Sequence, residues 1–238
     1  MAFGQRVLVL GICAAFCIPH AFALSPTGAN ALAERFLSRD EPPLERFRAR
    51  RLMRARNARF NLEASLEATT QLDPVAGFAF EVVATRGSSY LLKRVLLPSL
   101  QGEAEMWQRG DPQRNGLTPE NYEFLDTVRD AGGTQEEVRI PVSPRRKHLL
   151  LVEGLLVVSP RDADLLRVEG RVSKSPSFWI SRIDVVRRYA RLGGVRVPVE
   201  LDSVAHVRIA GRSELQIVYL YESVNGTPVG SVRDDSSW

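Results

Sequence analysis

The amino-acid sequence predicts a mainly β protein: a broad, curled antiparallel sheet whose one apolar face is covered, by closure or by two helical segments. Three observations predict it. Apolar and polar residues alternate with period two in run after run downstream of residue 59, the pattern of strands with one wet face. The joints between these runs are short and rich in Gly, Pro, Ser and Asp, leaving no room for the dozen or more residues of a parallel crossover. A hydrophobic content of 44% with 25% charged residues in a chain of 238 suffices to bury a core and is too apolar for disorder.

The first 23 residues stand apart from the fold. Arg6 forms a short positive region, Val7 to Ile18 an apolar stretch, and Ala21-Phe22-Ala23 the small-x-small site of a signal peptidase, so residues 1–23 are expected to be a signal peptide and 24–238 a single domain with a polar tail from about 228. Both cysteines, Cys13 and Cys17, fall in the leader. The mature chain is then thiol-free, with no disulfide, thiolate metal site or cysteine nucleophile. Neither cysteine follows the small residue a lipoprotein signal requires, since Ile12 and Phe16 precede them. No later apolar run approaches the roughly 20 residues of a membrane span, so the expectation is a periplasmic, or secreted, protein that is not integral to the membrane.

The mature chain opens on a helix from about Ser25 to Ser38, carried by Leu32, Phe36 and Leu37 and stopped by Pro42-Pro43. Between Arg46 and Arg56, arginines at 46, 48, 50, 54 and 56 share one parity while Phe47, Ala49, Met53 and Ala55 hold the other. As a strand, this segment puts five guanidiniums on one face and its apolar residues toward the core. Arg46, Arg48, Arg50, Arg54 and Arg56 are therefore candidates for an anionic surface such as lipid headgroups, with cross-strand pairing to Glu63 and Glu67 as the plainer alternative. Of the 32 basic residues, all but Lys93, Lys147 and Lys174 are arginines.

Phe60, Leu62, Ala64, Leu66 and Ala68 alternate with polar neighbours, and Phe78, Phe80, Val82 and Ala84 repeat the pattern after Asp73-Pro74 and Gly77, predicting a hairpin. A second helical segment follows, capped by Ser88 or Ser89 and carrying Tyr90, Leu91, Val95 and Leu96 on one face, with Pro98 kinking or dividing it before Met106 and Trp107. Loops then surround a strand near Tyr122 to Val128, with a turn at Gly132-Gly133. Consecutive strands are predicted at 149–152, 155–158, 166–172, 179–189, 195–209 and 215–221, joined by turns at Glu153-Gly154, Ser159 to Asp164, Lys174 to Ser177, Gly193-Gly194 and Ala210 to Ser213. The sum is about nine to eleven strands.

Within the C-terminal half, Asp184-Val-Val-Arg-Arg-Tyr189, Gly194-Val-Arg-Val-Pro198 and Tyr219-Leu-Tyr-Glu-Ser-Val-Asn225 resemble the outer-membrane lipoprotein-sorting (LolA/LolB-like) superfamily. The segment Lys174-Ser-Pro-Ser-Phe-Trp179 is similar to one in uncharacterised exported bacterial proteins. The resemblance is best over residues 145–227 and implies an unclosed half-barrel covered by helices, around an apolar interior that takes lipid or lipoprotein acyl chains without catalysis. The candidate lining of such an interior is Phe78, Phe80, Leu92, Leu96, Phe178, Trp179, Tyr219 and Tyr221.

Other chemistry finds little support. His148 and His206, the histidines of the mature chain, sit in no metal-ligand spacing. No Gly-x-Ser-x-Gly, Ser-x-x-Lys, phosphate loop or dinucleotide fingerprint is present, so no metal or cofactor is expected. No stacking motif points to nucleic acid. Two alternatives stay open: an envelope interaction protein with a filled interior, which would meet a protein partner, and a hydrolase using His148 or His206 in a triad assembled from distant positions.

Overall fold

The computed structural model describes residues 28–110, 114–125 and 137–230. The leader, the start of the first helix, the Gly132-Gly133 turn, the end of the 122–128 strand and the last residues of the tail lie outside the described residues.

Helix α1 (Gly28–Leu37) precedes a meander of three long strands, β1 (Phe47–Asn57), β2 (Leu62–Asp73) and β3 (Gly77–Gly87). A helical segment over residues 89–108, here called the cover helix, follows. Then come β4 (Tyr122–Phe124), β5 (Val138–Pro144), β6 (Val152–Val158), β7 (Leu165–Val172), β8 (Ile180–Leu192), β9 (Val195–Val207), β10 (Gly211–Val224) and the short β11 (Thr227–Pro228). All join one sheet in the order β3-β2-β1-β10-β9-β8-β7-β6-β5-β4, with β11 against β10. Every neighbouring pair is antiparallel. The sheet does not close: β3 and β4 are its two free edges, and the result is an open half-barrel covered by helices.

The alternation does what period two requires. In β1 the odd residues from Phe47 to Asn57 are buried and the even ones open to solvent or partly so; in β2 Ala64, Leu66, Ala68, Thr70 and Leu72 are buried. The one non-sequential junction, β1 on β10, registers Met53 with Ile217 and Arg51 with Tyr219. It joins the N-terminal meander to the C-terminal one.

Three expectations need correction. Phe60 does not start β2 but sits in the β1–β2 turn and is exposed, because Asn61 takes a left-handed backbone (φ 51°) that ends the strand pattern. In β3 a register shift opposite Glu67/Ala68 pairs Ala84 with Glu67, so Ala84 no longer shares a face with Phe78, Phe80 and Val82. Glu153-Gly154 is not a turn: residues 149–150 form the turn and β6 runs through Gly154, which lies opposite Gly170 of β7. Sequence reading took glycine for a loop. The structure uses it for close approach, since a Cβ on Gly154 would stand 2.1 Å from the Glu169 carbonyl oxygen and 2.6 Å from the Gly170 Cα.

Two helices cover different parts of the concave face. Leu32, Ala33 and Phe36 of α1 pack with Tyr122, Ile140, Leu156, Leu165 and Val168 over the β4–β7 end. Its C-terminal end is tied to the β6–β7 turn, where Arg35 and Arg39 donate to the carbonyls of Arg161 (2.8 Å) and Asp162 (2.6 Å). Arg191 bridges Asp164 and Glu41 at 2.8 and 2.7 Å. The cover helix lies over β1, β2 and β10, seating Leu91, Leu96 and Leu100 against Met53, Leu66, Ala68 and Ile217.

Pro98 divides the cover helix as expected. The segment runs as an α-helical turn Ser89–Leu91, a π turn Leu92–Leu96 and an α-helix Leu97–Gln108. Proline lacks the amide that would bond four residues back. Just before it, the Leu97 amide reaches the Leu92 carbonyl five residues back, the widened pitch of a π-bulge. Ser88 caps the start, its hydroxyl accepting from the Leu91 amide.

Candidate functional site: the interior beneath the cover helix

The concave face under the cover helix is largely apolar and holds one buried ion pair. Arg51 occupies the inward register of β1, between Ala49 and Met53, and is 1% exposed. Glu103 reaches down to it from the cover helix, accepting from Nη1 at 2.5 Å and Nη2 at 2.8 Å, the fork-to-fork geometry in which arginine binds carboxylate best. The guanidinium is also stacked, 4.7 Å from the Tyr219 ring centre and 5.3 Å from that of Phe78. Its Nε is buried with no hydrogen-bond partner.

The electrostatics follow from this burial. Loss of solvent disfavours the charge on Arg51, but the bond to Glu103 and its charge outweigh that loss, so the proton is held more firmly than on free arginine. Burial pushes the phenols of Tyr219 and Tyr221 above their ordinary value, against the opposing pull of Arg51. The two rings stack at 6.4 Å with 11° between their planes.

A second arginine belongs to this face. Arg187 pairs with Leu201 of β9 and Val168 of β7, both inward positions. It is hydrogen-bonded to Tyr189, close enough to feel Tyr219 and Glu103, and open to solvent. With Glu103 committed to Arg51, the interior carries an excess of positive charge at Arg187.

Of the lining residues expected from sequence, six come together. Leu92, Leu96, Phe80 and Tyr219 meet in the cluster beneath the cover helix. Phe78 and Tyr221 join Phe47, Ala49, Leu72 and Val224 in the cluster beside it, against which Trp107 of the cover helix also packs. Phe178 and Trp179 are not with them. They lie in the β7–β8 connection, 71% and 55% exposed, edge-to-face at 5.7 Å, with Arg208 stacked 4.2 Å from the Phe178 ring. A lining role needs burial, and a turn at the sheet's end does not provide it.

The arginine row lies on the convex face and is largely occupied. Arg46 pairs with Asp73 at 3.2 Å, Arg48 with Glu222 at 2.9 Å, Arg50 with Glu67 at 3.7 Å and Arg54 with Glu63 at 2.6 Å. Arg54 and Arg56 border a shallow polar cleft with Glu63, Glu214 and Gln216. These are exposed cross-strand pairs of small individual worth.

The histidines stand apart from each other. His206, exposed on β9, meets Asp184 at 3.3 Å; His148, half-buried, accepts the Leu150 amide at Nδ1 and donates its own amide to Ser173. No group of three potential metal ligands occurs among the described residues.

Sequence reading missed Arg51, Glu103 and Arg187. The signal was present for two of them: Arg51 interrupts the apolar parity series Phe47, Ala49, Met53, Ala55, and Arg187 shares parity with Val185. A charge in the buried register of a strand demands a partner. Glu103 carried no such mark.

No family model and no curated protein matches the chain. Among solved structures the chain is similar to a DUF1329 family protein from Desulfovibrio piger, 10% identical, with a TM-score of 0.39 over 81% of this chain and 90% of that one. It is also similar to a LolA superfamily protein from Nitrosomonas europaea, again 10% identical, with a TM-score of 0.37 over 87% of this chain and 95% of that one. Among the described residues no helix is long and apolar enough to cross a membrane.

Proposed function

We propose that this protein is a non-enzymatic carrier or binding protein of the cell envelope, exported to the periplasm, that holds a lipid, a lipoprotein acyl chain or another hydrophobic ligand beneath the cover helix. One observation carries the reading: amid the apolar packing of Leu91, Leu96 and Leu100, the cover helix meets the concave face through one buried ion pair, Arg51–Glu103. A buried pair of this kind is poor value for stability, since desolvation consumes most of its attraction and an apolar replacement is often as stable. It is well suited to a latch. Separating it removes the charged tie between the cover helix and β1 and leaves the apolar seat of Leu91, Leu96 and Leu100, and the interrupted pitch before Pro98 gives that helix a place to bend.

Acyl chains entering the interior gain about 0.8 kcal/mol per buried methylene. Arg187, solvent-accessible at the border of the lining, offers a cation to an acidic headgroup. No reaction is required of any residue in this arrangement.

The test is native mass spectrometry of the chain from Leu24, before and after incubation with phospholipid or a lipopeptide. Bound lipid, lost on replacing Leu96 by a bulkier tryptophan, is the expected result. Bare chain in both cases overturns it. That second outcome favours an interaction protein with a filled interior, a reading to which the complete burial of Leu96 and Leu100 under the cover helix speaks.

A further inference from the structure

The two ends of the half-barrel differ in a way that neither the interior nor the arginine row uses. Antiparallel order places the β1–β2 turn (58–61), the β5–β6 connection (145–151), the β7–β8 connection (173–179) and the β9–β10 turn (208–210) at the same end of the sheet. The cover helix also begins there, after β3. This end displays Phe60, Tyr90, Leu149, Phe178, Trp179 and Ile209, each 46–71% exposed. At the opposite end Val75, in the β2–β3 turn, is the one exposed large apolar residue among the described residues.

The charges segregate the same way. The four connections hold Arg59, Arg145, Arg146, Lys147, Lys174 and Arg208 and not one acidic residue; the 114–121 loop that packs on Arg145 and Arg146 adds Arg114 and Glu120. None of the six is ion-paired with a carboxylate among the described residues. The turns at the other end, 73–77 and 159–164, contain Asp73, Asp162 and Asp164 against the single cation Arg161.

The centre of this end is a built surface. The Arg208 amide donates to the Trp179 carbonyl at 2.9 Å, fixing the β7–β8 connection beside Ile209. Asn57, 3% exposed, donates to the carbonyl of Ala210 at 2.9 Å and accepts the Phe60 amide at 3.1 Å. Two turns and one loop are thereby locked side by side, with Phe60, Ile209, Phe178 and Trp179 projecting.

From this we propose that the connection end of the half-barrel is a docking surface for an anionic phospholipid bilayer. Aromatic rings with a polar edge settle at the boundary between headgroups and acyl chains. Unpaired arginines and lysines are drawn to an anionic surface within a Debye length. Exposed apolar residues beside six cations that make no ion pair, with Glu120 of the adjoining 114–121 loop as an exposed acid at their margin, fit a negatively charged apolar-cored partner; an acidic protein would leave the projecting aromatics without a counterpart. The proposal is independent of what the interior holds.

Vesicle flotation of the chain from Leu24 tests it, with phosphatidylcholine vesicles containing a quarter phosphatidylglycerol and with pure phosphatidylcholine. The expected result is binding to the anionic vesicles at least tenfold tighter, weakening steeply between 0.05 and 0.5 M salt. The variant R59E/K174E/R208E should lose at least fivefold per cation removed, and F178S/W179S should lose at least tenfold, while V75S at the opposite end changes nothing. All these side chains are exposed, and circular dichroism verifies folding. In the parent, brominated lipid should quench the fluorescence that Trp179→Phe removes, a readout that needs no destabilising variant. Equal binding to both vesicle types, absence of binding, or losses no larger than those of V75S would overturn the proposal, as would capture of an acidic protein in place of vesicles. Failure to carry lipid in the interior leaves these measurements untouched, so the two readings fail separately.

Discussion

Replacing Glu103 should harm this fold more than replacing Arg51, although each substitution breaks the same ion pair. The pair is asymmetric in burial: the Arg51 side chain is 2% exposed and that of Glu103 is 24% exposed. In Glu103→Gln the guanidinium stays in the interior without its counter-charge, keeping the Tyr219 and Phe78 rings and one bond to the Gln amide oxygen. At the effective dielectric that describes such sites, two unit charges about 4 Å apart attract by about 4 kcal/mol. Stripping one partner from a buried pair costs about 3 to 5 kcal/mol, and the bond kept to the Gln amide oxygen returns about 1 kcal/mol. The expected loss is about 3 kcal/mol, or about 6 to 12 °C in Tm for a domain of this size. Arg51→Met removes the buried charge together with its unpartnered Nε, and Glu103 can turn to water. Its cost should stay within about 1 kcal/mol. The double variant should resemble Arg51→Met alone. Urea unfolding monitored at the fluorescence of Trp107, which sits on the cover helix, measures all three. If Arg51→Met proves as damaging as Glu103→Gln, or if the two costs add, the ion pair is not a latch on an apolar face and the reasoning fails.

Four further outcomes are expected. Gly154→Ala should destabilise by more than about 2 kcal/mol or prevent folding, because its Cβ would meet the Glu169 carbonyl at 2.1 Å; Gly102→Ala, in the cover helix with nothing within 4 Å of the added Cβ, should instead stabilise by about 0.5 to 1 kcal/mol, both read from thermal melts. Leu100→Ala, at a fully buried position of the cover helix, should cost about 2 to 5 kcal/mol in urea unfolding. Asp164→Asn should lower stability at neutral pH: burial pushes this carboxyl up, but the bonds and charge of Arg191 pull it further down, below its ordinary value. A carboxylate depressed by folding stabilises fully above its unfolded value near 4, so the gap between parent and variant in urea midpoints should be constant above about pH 5 and shrink as the pH falls. Arg54→Ala on the convex face should change stability by less than about 1 kcal/mol, since both partners of its pair with Glu63 are 52% exposed.

Much of the sheet was legible because period-two alternation is a direct consequence of strand geometry. Ala64, Leu66 and Ala68 could hardly face outward, and the short joints of the C-terminal half dictated antiparallel neighbours. What the pattern could not convey was which strand lies next to which across the chain. The β1–β10 junction links residues more than 150 positions apart, and no local signal encodes it. Glycine misled at 154, where it admits close strand approach instead of a turn. Phe178 and Trp179 misled differently: an aromatic pair at the start of a strand looks like core, and only the register Ile180 to Val207 shows that the strand begins after them. The arginine row was visible as a face, and its partners Glu63 and Glu67 were readable as cross-strand neighbours. The interior ion pair was half visible, as the one charge in an apolar series.

The choice of arginine at position 51 sets what can open the interior. A lysine buried there could shed its proton and fall neutral, and a change of acidity would then loosen the lid. Arginine keeps its charge at every pH a cell envelope meets, and here its proton is held still more tightly. Acidification or alkalinisation cannot discharge the sheet side of the contact. Separation of the pair has to come from the Glu103 side or from another anion offered to Arg51. The sheet side of the contact therefore answers to the anions around it and is deaf to the proton concentration around that guanidinium.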